Sequence, residues 1–316
     1  MEMVYYWIGS PLDTCQRGRN PLIRLSTVLL IGFLSIAHGA GALAEQAPVN
    51  LCTGGPEGNY FATGRDIAAW AIPKYVKVSV VQTEGSMDNM QRLARGECGA
   101  AIVQSDAYLV YQTRHRDRPV EVTRNRFLYA EFAHLVCRRD ANVAGTGDLL
   151  ANPARHRILV GPAESGSAVT WHAFTILDRR FGQMPAENVG GEAALNRVLG
   201  GQAQCMFFVA GLGSKLGKDV DKAGKELRLV PITEDVLRTA QFGSTTLYET
   251  RHIPRNTYRS LEAGLPEDGV ETITVSATLV IDRRWADRYP NGPPGLLGGV
   301  TGAMPAISKR AMSGFN

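Results

Sequence analysis

A surplus of charge of one sign is the first thing this chain lacks. Its 34 Lys and Arg stand against 30 Asp and Glu, so it carries no electrostatic footprint for nucleic acid. Long apolar runs are also missing. None reaches the roughly 18 residues that a membrane-crossing helix needs, which argues against a helical membrane protein. None of the glycine turns discussed below has the G-x-G-x-x-G spacing, and no Gly-Lys-Ser/Thr ends a phosphate loop. The cysteines fit no zinc pattern. What is present is ordinary globular material: 316 residues, 44% hydrophobic and 20% charged, which excludes disorder, collagen and coiled coil. The length suits one large domain or two lobes of about 100–150 residues each.

The N-terminus reads as an address. Residues 25–37 form a short apolar core, Arg17, Arg19 and Arg24 precede it, and Ala42-Leu43-Ala44 follows as a small-x-small exit ahead of Glu45. Together these predict a secretory signal peptide over 1–44, cleaved near Ala44. The stretch before Arg17 exceeds what a signal needs, which suggests a start codon further downstream. The exported chain keeps Cys52, Cys98, Cys137 and Cys205. An even number in an oxidising compartment allows disulfides, with three pairings open.

Along 45–316 the pattern alternates. Strands are expected at Val49–Thr53, Val76–Thr83 and Ala100–Gln104, and helices at Ala62–Lys74, Met87–Arg95 and Ala107–Thr113. Three strand–helix steps imply a parallel sheet with right-handed crossovers. Phe127–Cys137 is extended and apolar. A second series follows. Its strands are Arg157–Gly161, Cys205–Ala210 and Leu227–Ile232; its helices are Asp148–Ala151, Ala168–Phe181, Leu195–Gly200 and Asp235–Ala240. This predicts a second sheet. The long strand Glu271–Ile281 is able to return the chain to the first. From Pro290 onward glycine and proline crowd together and no helix is recognisable.

Three turns join a strand to a helix and carry glycine, serine or asparagine: Gly54 through Tyr60, Gly85 through Asn89, and Gly161 through Ser167. In an open α/β sheet ligands bind at the carboxyl ends of strands. Helix N-termini there offer unpaired N–H groups and partial positive charge. Any one of these turns is explained as an ordinary cap; three at equivalent places point to a cleft for a small carboxylate. Ser165 is no nucleophile elbow, because Ala163 stands where glycine is required. His134 and His172 are the imidazoles open to it as a base, and a lone Ser with a lone His is found in most chains. Glu131-x-x-His134 resembles half a metal site, but on a strand those side chains face opposite ways. The run Arg114-His115-Arg116-x-Arg118 reads as a solvated helix end.

The motifs then match a family. Leu51-Cys52-Thr53-Gly54-Gly55 with Gly58-Asn59-Tyr60-Phe61, Thr83-Glu84-Gly85-Ser86-Met87-Asp88-Asn89, and Gly96-Glu97-Cys98-Gly99 leading to Gln104-Ser105-Asp106 closely resemble the TAXI family, the extracytoplasmic solute receptors of TRAP transporters. His134-Leu135-Val136, Ser165-Gly166-Ser167, Phe207 through Gly211 and Ile253-Pro254 with Thr257-Tyr258 extend the likeness over 49–281. The resemblance implies a two-lobed, type II periplasmic-binding-protein fold of the α/β class, its lobes joined by hinge strands. Lobe 1 would be 47–139 plus 271–316, and lobe 2 140–270. It implies a monomer in the periplasm that binds a small organic anion, such as glutamate or a dicarboxylate, between the lobes. A membrane permease would receive that ligand. No cofactor, metal, nucleic acid or catalysis is implied. The ligand-lining residues by resemblance are Gly55, Asn59, Tyr60, Ser86, Asn89, Gln104, Ser105, Ser165, Gly166, Ser167 and Gly211. The four cysteines depart from the family pattern, and so does the tail after Arg283, which lacks a recognisable helix. Two other functions fit the same scaffold: an exported enzyme using Ser165 or His134, and a receptor whose partner is a sensor protein.

Overall fold

The computed structural model describes residues 46–311 apart from 244, 262, 263 and 265; the expected signal peptide lies outside the described residues. Strands and helices alternate from the outset. The first series is β1 (Ala47–Cys52), α1 (Asn59–Trp70), β2 (Val76–Val81), α2 (Ser86–Arg95), β3 (Ala100–Gln104) and α3 (Ala107–Arg114), ending in the long β4 (Val122–Arg138). The second is α4 (Thr146–Ala151), β5 (Ile158–Leu159), α5 (Gly166–Leu177), β6 (Ala186–Glu187), α6 (Gly191–Leu199), β7 (Cys205–Ala210), α7 (Lys215–Ala223), β8 (Leu227–Val230) and α8 (Asp235–Arg238). Then come β9 (Gln241–Phe242), β10 (Thr245–Thr246), β11 (Tyr248–Ile253), β12 (Val270–Asp282), α9 (Arg283–Arg288) and α10 (Gly292–Ala311).

Ten strands form one mixed sheet in the order β2-β1-β3-β12-β4-β7-β5-β6, with β11 on β12 and β8 on β4. The separate second sheet expected from the sequence is therefore a continuation of the first. The cause is the length of β4. Its first part, Val122 to Phe132, pairs with β12, while Phe132 to Cys137 pairs with β7 and Leu135 to Arg138 with β8. β12 does the same: Val270 to Val275 lies on β11 and Ala277 to Ile281 on β3. Two antiparallel strands thus belong to both halves, and the curled sheet forms two α/β lobes on either side of them. Around them β1 runs parallel to β2 and β3, and β5 parallel to β6 and β7, as helical crossovers require.

The four cysteines pair as Cys52–Cys98 and Cys137–Cys205. The first ties the end of β1 to the turn before β3; the second joins opposed residues of β4 and β7. Each lobe side of the sheet has one.

The tail corrects an expectation. Gly292–Ala311 is helical for 20 residues despite its glycines and an internal Pro305. Pro293 and Pro294 stand in the first turn, where a missing N–H removes no helical bond. Gly295, Gly299 and Ala303 recur at helical spacing on one face and are buried. A β-carbon at Gly299 would stand 2.6 Å from the Ile67 carbonyl oxygen of α1. Glycine here marks two helices packed backbone to backbone, with Leu296, Val300 and Ile307 in the core around them.

Candidate functional site

Four helices start at the seam between the lobes. α1 and α2 belong to one side, α5 and α7 to the other. Gly58 and Gly85 stand at the N-caps of α1 and α2 and supply no side-chain cap, so first-turn N–H groups are left for another acceptor. Ser165 caps α5 through Ala168 N–H, and Ser214 caps α7 through Gly217 N–H. α1 and α5 each begin earlier than the apolar spacing predicts, at Asn59 and Gly166. Asn59, Tyr60, Gly166 and Ser167 therefore sit on helix first turns, not in loops.

Two neighbouring chambers lie among these helix starts and share Gly58, Asn59, Glu131 and Val209 in their walls. The smaller, about 210 Å³, is lined by Asn59, Tyr60, Ser86, Gln104, Glu131, Ser165, Gly166 and Ser167 among others. The larger, about 470 Å³, is lined by Asn59, Glu131, Gly211, Ser214, Lys215 and Arg310 among others. Of the eleven residues implied by the resemblance, eight thus meet here. Gly55 borders neither chamber; its carbonyl accepts Gly58 N–H at 2.9 Å. Asn89 is buried and structural: its Nδ2 donates to the carbonyls of Thr53 and Ile102, both at 2.7 Å. Ser105 turns to the sheet, where its Oγ donates to Leu247 O at 2.8 Å and accepts Ser276 N–H at 3.3 Å.

Glu131 is the residue that sequence reasoning missed as a site group. It projects from the middle of β4 and is only 7% exposed. Tyr60 O–H donates to it at 3.0 Å. Burial pushes its carboxyl up to about 7, although hydrogen bonds from Tyr60 and Gln104 oppose the rise. Burial, followed by the charge of Glu131, holds the Tyr60 phenol well above its usual range. The available signal was a lone acid inside the apolar run 127–137. Gln104 closes the floor beside it. A β-carbon at Gly166 would meet Gln104 Oε1 at 2.5 Å, so glycine is what lets the amide of one lobe lie against the helix start of the other.

The sequence profile of the NMT1-like family matches residues 51–288. The chain belongs to the NMT1-like family. Solved structures with a similar course of chain accompany that result. The aliphatic sulphonate binding protein SsuA of Escherichia coli is 11% identical, with 84% of this chain and 75% of that one covered and a TM-score of 0.49. SsuA of Xanthomonas axonopodis pv. citri, bound to MOPS, is 13% identical over 86% and 78%, TM-score 0.48. The VFT2 domain of BvgS from Bordetella pertussis is 12% identical over 84% and 94%, TM-score 0.46.

In this NMT1-like protein Ser165 and His134 have structural partners. Ser165 Oγ donates to Pro162 O at 2.7 Å and caps its helix. His134 is buried with its ring stacked 4.4 Å from Phe208. Its Nδ1 lies 2.9 Å from Phe132 O, and Nε2 accepts the Tyr258 hydroxyl at 3.0 Å. Burial pushes this imidazole down to about 4. Among the described residues no group of three or more His, Cys, Asp or Glu is placed to hold a metal.

Proposed function

We propose that this NMT1-like protein is a solute-binding protein of the TAXI type. Residues 1–44 direct its export to the periplasm. There it captures a small carboxylate between two lobes, 47–139 with 271–316 and 140–270, and passes it unaltered, as a monomer, to a TRAP-type permease. The observation that carries this reading is the convergence of four helix starts on one hollow bordered by hydroxyl and amide side chains. Such a place favours an anion, because the helix starts carry partial positive charge and those of α1 and α2 have no side-chain cap. Ser86, Ser167 and Asn59 add neutral donors. Lobe closure on β4 and β12 follows from contacts that the ligand makes to both sides.

The experiment is a melting series of the protein with a broad panel of small carboxylates. A ligand of this site raises the melting temperature by linkage, by the equivalent of about 2.7 kcal/mol at a hundredfold excess over Kd, and is recovered chemically unchanged. Absence of any shift at saturating concentration refutes carboxylate capture. Recovery of a converted product refutes binding without chemistry. Uptake of that ligand that survives deletion of the host's TRAP permease genes refutes the partner.

A further inference from the structure

A third hollow, of about 560 Å³, is larger than either chamber described above. Its floor is the sheet, with Val103 of β3, Thr278 and Val280 of β12 and Val122 of β4. Tyr108 of α3 stands at one side, and the β9–β10 hairpin forms the roof through Phe242. The hollow shares only Gln104 with the smaller chamber. Successive side chains of a strand point to opposite faces. The Gln104 side chain therefore meets the α5 start at Gly166, while Val103 packs with Met90 and Val280 in a different direction.

The walls have a consistent chemistry. Among the described residues none that borders the hollow is charged. The hydroxyls there are already used as donors. Ser105 Oγ donates to Leu247 O at 2.8 Å, Tyr108 Oη to Val120 O at 2.8 Å and Thr278 Oγ1 to Val103 O at 3.1 Å. A water held there would need two to four polar partners, and an ion would lose its hydration without gaining a counter-charge. What the walls offer is apolar contact. Tyr108, Val122 and Phe242 are half-buried against the core around Val103 and Val280. The Tyr108 and Phe242 rings meet edge-on, 5.8 Å apart. Phe242 is kept from dropping into the space below it, because its hairpin is closed on itself by the pairs Phe242↔Thr245 and Gln241↔Thr246. A second anchor is Leu247, whose N–H donates to Ala240 O at 3.0 Å. The mouth lies at Gly243 and Thr245, which are exposed.

Protein interiors are close-packed, and apolar walls without a partner forfeit dispersion contacts that a guest restores. A hollow of this volume, lined by apolar and aromatic side chains, matches the usual dimensions of a small-molecule site. We infer that it is a second binding site, which takes a neutral aromatic molecule of one or two rings. Such a molecule lies flat on the β-branched floor and meets the Tyr108 and Phe242 rings edge to face, and its rigidity keeps the entropic cost of binding low. This site is independent of the carboxylate capture proposed above.

The test is titration calorimetry with 2-naphthol, 2-naphthoate and 1-octanol, which separate a neutral aromatic guest from a charged one and from an aliphatic one. Val122→Trp fills the floor and locates the binding: affinities are compared on the part of the signal that it removes. There 2-naphthol binds with a Kd on the order of 10 μM, and 2-naphthoate and 1-octanol each bind at least about tenfold more weakly. Phe242→Ala removes a wall and weakens 2-naphthol about fivefold; it replaces Val122→Trp if that variant fails to fold. In the wild-type protein, nuclear Overhauser contacts join the 2-naphthol ring protons to the methyl groups of Val122 and Val280, a readout that needs no variant. Absence of 2-naphthol binding at about 1 mM, contacts to other methyl groups instead, or an affinity unchanged in the folded variants each overturns the inference. Equal or tighter binding of 2-naphthoate at this place overturns the neutral guest, and equal or tighter binding of 1-octanol overturns the aromatic one.

Discussion

The seam between the lobes contains the same chemical pair twice. On one side Tyr248 O–H donates to Asp106 at 3.0 Å; on the other Tyr60 O–H donates to Glu131 at the same distance. Burial pushes both carboxyls up, to about 6 and about 7. Their surroundings differ. Asp106 is fully sealed, and Tyr248 packs 5.7 Å from Phe174, whose ring meets those of Trp171, Phe181 and Phe207 at tilted or edge-on angles. Glu131 instead opens onto two chambers. The difference teaches that a raised carboxyl and a tyrosine do not make a site by themselves. Open space beside the carboxyl does: the sealed pair joins the apolar core, and the open pair borders a hollow.

The comparison breaks hardest on the sealed side. Phe174→Ala removes a ring with four aromatic neighbours and costs about 3–5 kcal/mol in urea unfolding. The loss should be stability, without a change in which solutes bind.

Acidity acts on both pairs together. Between about pH 5 and 7 the folded protein still holds protons on Asp106 and Glu131 that the unfolded chain has released. The folded state then binds more protons, so stability falls as pH rises through this interval. His134 has the opposite sign: its lowered value favours folding once pH exceeds the unfolded value near 6.5, and this is lost as pH falls toward 4. Two carboxyls against one imidazole leave a net loss of about 2 kcal/mol from pH 5 to pH 8 in the ligand-free protein. Unfolding curves at the two pH values measure it. Glu131→Gln should flatten the slope more than Asp106→Asn, since Glu131 is raised further.

Asn89→Ala sharpens the distinction between support and site. It strips donors from two buried carbonyls and costs about 2 kcal/mol, with ligand affinity unchanged in the folded fraction. Ser165→Ala removes a helix cap at the chamber wall. It costs about 1 kcal/mol by denaturant midpoint, and its effect on solute affinity exceeds that of Asn89→Ala.

β3 and β7 were legible to the residue because each is an apolar run stopped by turn residues. β11 was not. Of its six residues only Tyr248 and Ile253, at its ends, are buried, so no alternation announces it. α7 is mostly polar and α10 mostly small, and helices of that kind are fixed by what they pack against. The chamber walls were legible because caps and tight turns have local chemistry. Asn89 and Ser105 share that local chemistry, and only tertiary contacts show that one braces two carbonyls and the other braces β12. Glu131 lay beyond reach for the same reason, since its role depends on Tyr60 and Gln104 arriving from distant parts of the chain.

Phe132 is the residue at which β4 passes from its pairing with β12 to its pairing with β7, and Glu131 precedes it directly. Points close to an axle travel least. If the lobes swing about β4, the helix starts sweep through the largest arcs while this carboxyl hardly moves. A solute can therefore settle beside the middle of β4 in the gaping form, and the swing then brings the donors down onto a guest already in place.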